Sequence, residues 1–555
     1  MEEPSEAPAT GLTASILKGV LTLAVVFAPF LIAFVGPKLV RLLGAGLGWI
    51  LKKKTEGRRA LLLSLMNDSD AKLAEHTKDK ETAKGKTAGS TKGVSQSQNE
   101  WDGIVFFVPY IELNYLTEIR CTSNAGGGGE RVLWAAIRAT QNHYPKAKCV
   151  VYTGDHEVNK EQILSRVKSS FNINLHAPTV QFLYLSKRHW VLSSTWPRFT
   201  LLGQSLGSVV LGWDAFSLLV PDIFIDTMGY AFTLGLAKLL FPRMPTGAYV
   251  HYPTISTDML DSLDPNSAVG SLGVNAGRGV GARGSAKKTY WKLFARIYSW
   301  VGSSIDVVMT NSTWTSAHIK SLWGPLRAEK DKDHPITAVY PPCAVEEMER
   351  EVEVSEASEK KRQSAIVYIA QFRPEKNHQL IIQSFAKFIK SGTQAAKDAK
   401  LVLIGSVRGD QDKKRVYELR LMVNELHIKD RVEFHLDASW PEILEWLRKA
   451  SVGVNGMWNE HFGIGVVEYQ AAGLISVVHN SGGPKLDIVI EIDGEPTGFH
   501  ATTVEEFAEG YQKALSLPDP LAVRLRARKS AKRFTEEEFA RQWLIHMDRL
   551  VALAH

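Results

Sequence analysis

The sequence predicts an α/β protein made of two doubly wound, Rossmann-like domains in tandem. Short apolar runs alternate with amphipathic helical stretches from residue 103 onward, which is typical of parallel sheets covered by helices on both faces. A charge-dense, mostly acidic passage at residues 346–362 divides this alternation into two sets. Polar or glycine-containing loops follow several of the apolar runs, as they do at the ligand-binding edge of open α/β sheets.

The apolar runs define the predicted strands in chain order. In the first set they lie at residues 104–108, 149–152, 180–185, 223–226, 248–251 and 307–310. In the second set they lie at residues 365–370, 401–404, 432–435, 452–455 and 474–478. The chain ends in a predicted helix at residues 535–553, where Thr535 and Glu538 form a capping-box pattern and an apolar face repeats at helical spacing.

The composition indicates a folded chain whose positive charge is unevenly placed. The 555 residues are 45% hydrophobic and 23% charged, which excludes a mainly disordered protein. The net charge is +7, and residues 52–92 alone carry eleven basic and six acidic side chains. A nucleic-acid-binding domain would spread basic charge over a folded face, so no nucleic-acid partner is expected. The three cysteines are widely spaced and suggest neither disulfides nor a zinc site.

An apolar segment near the start of the chain predicts a membrane anchor. Residues 12–35 contain one charge, Lys18, and as a helix they would span about 36 Å, enough for a hydrocarbon core of about 30 Å. A cleaved signal peptide is the alternative, but the acidic start and the absence of an obvious cleavage site speak against it. The basic residues at 52–59 place everything after the anchor in the cytoplasm by the positive-inside rule.

These features divide the chain into five parts. Residues 1–54 are the predicted anchor. Residues 55–99 are predicted to be a flexible polar linker, because most of this stretch is rich in Lys, Ser, Thr, Gly and Gln. The first Rossmann-like domain covers residues 100–345 and the second covers residues 346–530. Residues 531–555 are expected to form a helix that packs back toward the first domain.

The strongest candidate site lies in the second domain. Glu460 and Glu468 are separated by seven residues, and Gly463 and Gly465 lie between them. The glycines allow close backbone approach, and the helix that follows offers N–H groups and a positive dipole to an anion such as a diphosphate. A carboxylate further along the helix suits the vicinal hydroxyls of a ribose. The alternative is two solvated glutamates at the start of a helix.

Further polar groups follow neighbouring strands of the same domain. Arg373 and Lys376 come after the first strand, and Gly405 and Arg408 come after the second. The sequence Gly-Gly-Pro at residues 482–484 follows the last strand. Because parallel strands end at one edge of their sheet, these loops are expected to lie close together.

Taken together, these motifs resemble those of a known family. Lys376, the Glu460 and Glu468 pair and the Gly-Gly-Pro turn are similar to the donor site of retaining GT-B glycosyltransferases. Three runs in the first domain narrow the resemblance to the α-1,2-mannosyltransferases that extend dolichyl-diphosphate oligosaccharides at the endoplasmic reticulum. These runs are residues 126–134 (GGGGERVLW), 221–230 (PDIFIDTMGY) and 250–256 (VHYPTIS). The resemblance covers residues 12–550, and the glutamate pair alone would identify only the superfamily.

The resemblance implies roles for the residues of the second domain. Lys376 would neutralise the diphosphate of GDP, and Glu468 would hold the ribose. Glu460 would hold the transferred mannose. The backbone of three residues would bind sugar and phosphate: Phe462, Gly463 and Ile464.

It implies further roles around the cleft. Gly127, Gly128 and Gly129 would close over the diphosphate, and Gly405 and Arg408 would contribute to the donor site. His251 would lie near the sugar, although a histidine packed in the core is the plainer interpretation. The chain departs from the superfamily in one respect, because Gln371 stands where an arginine is usual. Arg373 is then the candidate replacement.

No metal is expected at this site. Two Asp-x-Asp sequences, at residues 68–70 and 410–412, have the spacing of a metal-binding pair, but both lie in polar surroundings and are interpreted as solvated charges. The resemblance also implies a metal-independent enzyme, because positive side chains and a helix N-terminus take the place of a cation.

A basic and aromatic stretch follows residue 277. Arg278, Arg283, Lys287, Lys288, Lys292 and Arg296 interleave with Tyr290, Trp291, Phe294, Tyr298 and Trp300. Such a pattern suits the headgroups of anionic lipids or a diphosphate-linked acceptor. An ordinary amphipathic helix packed on the first domain is the alternative.

The implied function is transfer of the fourth and fifth mannoses, in α-1,2 linkage and with retention, from GDP-mannose to the dolichyl-diphosphate-linked precursor of N-glycans. The enzyme would act on the cytoplasmic face of the endoplasmic reticulum, at the bilayer and alongside other mannosyltransferases of the pathway. Two alternatives are open: a UDP-N-acetylglucosamine-dependent transferase acting on phosphatidylinositol, and an inactive scaffold of a glycosylation complex.

Overall fold

The computed structural model describes residues 36–83, 103–108, 128–264, 266–267 and 281–555. Three predicted features lie outside these ranges: the anchor at residues 12–35, Gly127 and Arg278. Among the helices that are described, none is both long and apolar enough to cross a membrane.

The first domain contains a parallel sheet of seven strands in the order β3-β2-β1-β4-β5-β6-β7. These strands are β1 (Ile104–Val108), β2 (Lys148–Thr153), β3 (Val180–Tyr184), β4 (Ile223–Asp226), β5 (Thr246–Val250), β6 (Val307–Thr310) and β7 (Thr337–Ala338). The helices are α1 (Gly36–Ala83), α2 (Gly128–His143), α3 (Lys160–Phe171), α4 (Thr200–Leu218), α5 (Ala231–Leu240), α6 (Thr257–Asp261), α7 (Gly281–Ser303), α8 (Thr313–Trp323) and α9 (Ala328–Asp333).

The second domain repeats this topology with a parallel sheet of six strands in the order β10-β9-β8-β11-β12-β15. These strands are β8 (Gln363–Ile369), β9 (Lys400–Gly405), β10 (Val432–Leu436), β11 (Ala450–Asn455), β12 (Ile475–His479) and β15 (Gly498–Ala501), and a separate hairpin is formed by β13 (Glu491–Ile492) and β14 (Glu495–Pro496). The helices are α10 (Val345–Glu351), α11 (Glu356–Glu359), α12 (His378–Lys390), α13 (Gln394–Lys397), α14 (Asp410–Glu425), α15 (Trp440–Lys449), α16 (Ile464–Ala471), α17 (Val504–Leu515), α18 (Pro520–Ala531) and α19 (Glu536–Ala554). The predicted pair of doubly wound domains is confirmed.

The strand order explains where a ligand can bind. In each sheet the chain starts in the middle, winds to one edge and returns to build the other half. The point of reversal lies between β1 and β4 in the first domain and between β8 and β11 in the second. Loops leaving the carboxyl ends of two such strands diverge and open a crevice.

The last helix of the chain, α19, belongs to the core of the first domain. Phe539, Trp543 and Leu550 are buried among the side chains of α2 and the first sheet. The Trp543 indole donates to Thr140 Oγ1 at 3.1 Å, and Tyr144 donates to Asp548 at 2.6 Å. Because α19 follows the second domain in sequence, it ties the two domains together.

The helix α1 differs from the predicted linker. The expectation of a flexible segment began at residue 55, whereas the helix runs without interruption to Ala83. Three residues at helical spacing, Leu51, Leu62 and Met66, are buried against the first domain. Arg59 also forms an ion pair of 2.7 Å with Asp222. A sparse apolar stripe is therefore enough to dock this otherwise polar helix.

Candidate functional site

A cleft of about 600 Å³ lies where the carboxyl edges of the two sheets face each other. Residues from both domains line it, as expected for a ligand site at a topological switch point. Of the residues to which the sequence analysis gave a catalytic or donor-binding role, ten line the cleft: Gly128, Gly129, His251, Lys376, Gly405, Glu460, Phe462, Gly463, Ile464 and Glu468.

The centre of the cleft is an ion pair between Lys376 and Glu460. Lys376 follows β8 and Glu460 follows β11, and the pairing of these two strands brings Nζ to 2.5 Å from Oε2. Asn455 Nδ2 lies 3.5 Å from the same carboxylate oxygen. Burial alone would raise the pKa of Glu460, but the Lys376 ammonium outweighs it and holds the pKa below its ordinary value. Glu460 is therefore a carboxylate at neutral pH.

The Gly-Gly-Pro turn supports the loop that carries Glu460. The Gly483 N–H donates to the Glu460 carbonyl at 2.8 Å. A Cβ on Gly483 would lie 2.5 Å from the Phe462 carbonyl oxygen, and one on Gly482 would lie 2.3 Å from the Glu460 carbonyl oxygen. Gly482 also has a φ of +67°. Two adjacent glycines are required here because the two backbones are in direct contact.

The same loop is attached to the first domain. The Asn459 side-chain amide donates to Asp258 Oδ2 at 2.6 Å. The ring of His461 lies 4.1 Å from that of Tyr252 and 5.5 Å from that of Trp314, measured between centroids. Burial lowers the pKa of His461 to about 4, so this ring is neutral and packs as an aromatic group. Movement of one domain against the other must therefore move Glu460.

The start of helix α16 lines the cleft. Gly463 caps the helix with a φ of +109°. Gly128 of the first domain approaches so closely that a Cβ there would lie 2.5 Å from Ile464 Cδ1. The N-terminus of α2 and that of α16 thus meet at the cleft, and both contribute positive dipole ends.

Glu468 lies one turn into α16 on the cleft wall. Burial raises its pKa to about 7, while Arg131 opposes the shift and Glu347 adds to it. Arg131 is a buried residue in the first turn of α2, so the charge that stabilises this carboxylate comes from the other domain. Arg131 was not predicted as a site residue, although this arginine directly follows the four-glycine run and Glu130 in the sequence.

His251 follows strand β5 on the side of the first domain. It is buried, and a hydrogen bond to the Thr227 backbone engages one of its ring nitrogens. Its Nε2 has no hydrogen-bond partner among the described residues and lies 3.4 Å from the position of a Cβ on Gly129. Burial lowers the pKa of His251 to about 4. The neutral ring can therefore accept a hydrogen bond from a ligand hydroxyl.

Two predicted residues are not brought to the cleft. Arg373 has an exposed side chain and does not line the cleft. Gln371 itself lines the cleft. Arg408 lies outside the lining, where its backbone N–H donates to Asp412 at 3.0 Å and its charge lowers the pKa of Glu130 against the larger effect of burial.

Three of the four aspartates considered as metal ligands have other partners. Asp412 accepts from the Arg408 backbone, and Asp410 lies 3.3 Å from the Lys413 ammonium at the start of α14. Asp70 Oδ1 lies within hydrogen-bond distance of His176 Nε2, at 2.7 Å. Within the described ranges, no group of three or more His, Cys, Asp or Glu side chains is arranged to hold a metal ion.

Comparison with known proteins identifies the family. Residues 118–323 match the family model described as ALG11 mannosyltransferase N-terminus, and residues 349–534 match glycosyl transferases group 1. A Neurospora crassa protein named GDP-Man:Man(3)GlcNAc(2)-PP-Dol alpha-1,2-mannosyltransferase is 67% identical over 542 residues, which is 95% of each chain. The chain belongs to this mannosyltransferase family. The human relative of the same name is 46% identical over 466 residues, covering 83% of this chain and 89% of its own.

Solved structures of other members of the superfold share the architecture of this mannosyltransferase family member. Anabaena HepE in complex with UDP-glucose has a TM-score of 0.52 at 13% identity, with coverage of 80% of this chain and all of that one. Sucrose-phosphate synthase from Thermosynechococcus elongatus has a TM-score of 0.56 at 14% identity, with coverage of 81% and 99%. These similarities show the fold, and the predicted GT-B arrangement is confirmed.

The support of the Glu460 loop by Gly483 generates a first prediction. Gly483→Ala forces the new Cβ against the Phe462 backbone, which displaces residues 459–462 and parts Glu460 from Lys376. We expect the affinity for GDP, measured by calorimetry, to fall by about tenfold or more. Gly409→Ala is the matched control, because a Cβ there meets open space. Unchanged GDP binding by Gly483→Ala would show that the turn does not position the site.

The raised pKa of Glu468 generates a second prediction. If the Glu468 carboxylate accepts hydrogen bonds from the ribose hydroxyls, it is protonated and loses this ability as the pH falls through about 7. We expect the unmodified protein to bind GDP about tenfold more tightly than Glu468→Gln at pH 8, and the ratio to approach one near pH 6. Taking the ratio cancels the titration of GDP itself and of Glu130 and Asp226, whose pKa values are also about 7. A ratio that does not change with pH would contradict this role.

Proposed function

We propose that the protein transfers mannose in α-1,2 linkage from GDP-mannose to a dolichyl-diphosphate-linked oligosaccharide, adding the fourth and then the fifth mannose. The observation that carries the proposal is the placement of Lys376, Glu460, Glu468 and the start of α16 in one interdomain cleft. Family membership supplies the identity of donor and acceptor, because relatives at 67% and 46% identity carry names that contain both.

The donor fits the cleft in one direction. The GDP ribose lies against Glu468, and the diphosphate lies at the N-terminus of α16, where Lys376 adds a positive charge. This leaves the mannose between Glu460 and the buried Nε2 of His251. The donor hydroxyls can pair with both groups, and the Gly128 and Gly129 backbone closes the site from the first domain.

The reaction replaces one bond at the anomeric carbon by another. The acceptor hydroxyl forms the new C–O bond, the bond to the GDP phosphate breaks, and the departing phosphate takes the hydroxyl proton. Lys376 and the α16 dipole stabilise the charge that develops on the phosphate. Of the described residues that line the cleft, two carry carboxylates, and Glu460 is paired with Lys376 while Glu468 lies on the ribose side. This favours displacement on one face, with retention and without a covalent sugar–enzyme intermediate.

The activity is tested directly with the purified full-length protein. With GDP-mannose and a dolichyl-diphosphate acceptor bearing three mannoses, mass spectrometry should show the addition of one and then two hexoses that an α-1,2-mannosidase removes. We expect Glu460→Gln to reduce kcat by about 10²-fold, and excess EDTA to leave the rate unchanged. Transfer from UDP-N-acetylglucosamine to phosphatidylinositol would support the alternative transferase, and absence of any transfer would support a scaffold.

We further propose that the protein is anchored in the endoplasmic-reticulum membrane by residues 12–35, with both Rossmann-like domains in the cytoplasm. The support is the length and apolarity of that segment and the basic residues that follow it. Helix α1 begins at Gly36, directly after the segment, and docks on the first domain, so the proposed anchor and the catalytic domains are joined without a long linker.

The orientation predicts the outcome of limited proteolysis. Protease added to intact microsomes should digest both domains, and a tag placed before residue 12 should be protected until detergent is added. A lumenal marker protein serves as the control for intact vesicles. Protection of the domains would reverse the assigned topology.

A further inference from the structure

Three helices of the first domain lie side by side on its outer surface. Helices α4 and α5 are in close contact, since a Cβ on Gly212 of α4 would lie 3.2 Å from the Leu236 side chain of α5. Helices α5 and α7 are equally close, since a Cβ on Gly235 of α5 would lie 3.0 Å from the Val301 side chain of α7. The ring of Phe199, directly before α4, lies 5.3 Å from that of Tyr290 in α7. The helices α4 and α7 therefore flank α5 and form one continuous surface.

This surface exposes two apolar stripes. On α4 the exposed side chains are Leu206, Val210 and Trp213, and on α7 they are Leu293, Ile297 and Trp300. Both sets have the spacing i, i+4, i+7, which places each on one face of its helix. Trp300 is 68% exposed and Leu293 is 57% exposed, so the stripes protrude from the domain. We name these six residues and the basic side chains beside them the helical face.

The helical face shares only Trp300 with the aromatic residues that the sequence indicated. Trp291, Phe294 and Tyr298 are buried and belong to the core of the first domain. For these three the plainer interpretation, an amphipathic helix packed on its own domain, is the correct one. The apolar residues that do reach the surface of α7 lie on its opposite side.

The charge of the helical face has one sign. Helix α7 contains Arg283, Lys287, Lys288, Lys292 and Arg296 and no acidic residue. Lys292 and Arg296 are exposed beside the apolar stripe. Helix α4 contains a single charge, Asp214, whose carboxylate accepts hydrogen bonds from the backbone N–H groups of Ser186 and Lys187.

The first turns of α1 reach the same part of the domain. Gly44 and Gly48 pack against Leu239 and Leu240 at the end of α5, where a Cβ on either glycine would collide with the backbone. The opposite side of these turns exposes Leu42 and Trp49. The apolar residues 12–35 immediately precede this helix in the sequence.

We propose that the helical face lies on the surface of an anionic lipid bilayer, with the apolar stripes inserted and the basic residues against the headgroups. Exposed leucine, isoleucine and tryptophan beside lysine and arginine are the composition of interfacial helices. The sign of the charge and the proximity of the segment 12–35 select a bilayer over a second copy or another protein. Lipid binding by the helical face does not depend on the proposed function. Only its consequence does: docking would hold the cleft at the height of a lipid-linked acceptor.

The contact is tested by fluorescence on the full-length protein reconstituted into vesicles. Val210→Cys and Ile297→Cys are labelled with an environment-sensitive dye in a Cys121→Ser background, since Cys149 and Cys343 are buried. Tyr417→Cys on α14, where the side chain is 63% exposed in the second domain, is the matched control. Lipids that carry a nitroxide on the acyl chain should quench the first two labels at least about threefold more than the control.

The lipid composition identifies what the face binds. Quenching should be stronger with vesicles containing anionic lipid than with phosphatidylcholine alone, and Lys292→Glu should weaken it by about fivefold. Equal quenching at all three positions, in protein that floats with the vesicles, overturns the proposal. So does a response of the labels at positions 210 and 297 to protein concentration without lipid, which would indicate contact between copies of the chain.

Activity gives a second, separate readout. Leu293→Asp combined with Ile297→Asp should reduce transfer to a dolichyl acceptor embedded in vesicles by about tenfold or more, and leave transfer to a short-chain, water-soluble acceptor unchanged. Leu421→Asp on α14 is the control, because this residue is an exposed leucine of the second domain. Equal losses with both acceptors would contradict docking. The absence of transfer by the unmodified protein would refute the proposed function and leave the quenching experiment to decide.

Discussion

The ion pair between Lys376 and Glu460 is the interaction on which the site depends. It exists because the second sheet reverses direction between β8 and β11, so residues 84 positions apart in sequence leave neighbouring strands at the same edge. Both side chains are largely removed from solvent, and the Lys376 ammonium stabilises the Glu460 carboxylate. A donor diphosphate adds negative charge next to Lys376, and the carboxylate of Glu460 remains available to the sugar. The topology of the sheet thus places a cation and an anion side by side in the cleft, where the proposed donor pose puts the phosphate and the sugar.

The rest of the cleft keeps this pair in position. Gly482 and Gly483 lie beneath the loop of Glu460, and Asn459 and His461 attach the same loop to the first domain. The part of the cleft around Glu468 is also built from both domains, because Arg131 of α2 stabilises the charge of Glu468 on α16. Helix α19 returns from the second domain into the core of the first. Both domains therefore contribute to the cleft, and separation of the domains would remove the supports of the Glu460 loop and of Glu468.

Much of this could be predicted from sequence because parallel sheets obey strong rules. Alternating apolar runs predicted the strands, and polar loops after them predicted the edge at which Lys376, Gly405 and Glu460 meet. The direction of a side chain within a loop does not follow from such a pattern. Arg373 is exposed to solvent, whereas Lys376, three residues later, enters the cleft. Helix α1 was missed because its buried residues are few and widely spaced in a polar segment. Trp291, Phe294 and Tyr298 were assigned to the surface of α7 together with Trp300, because the interior and exterior stripes of this helix are both apolar. Only the tertiary packing distinguishes the two stripes.

A double-mutant cycle on Lys376 and Glu460 tests most directly whether the ion pair governs the site. The kcat/KM for GDP-mannose is measured for the unmodified protein, Lys376→Gln, Glu460→Gln and the double variant with one lipid-linked acceptor. If the two residues act as a unit, each single change should cost about 10²-fold or more, and the double variant should be within about threefold of the worse single one. Losses that multiply in the double variant would mean that the two side chains act independently, and would contradict a site that depends on their pairing.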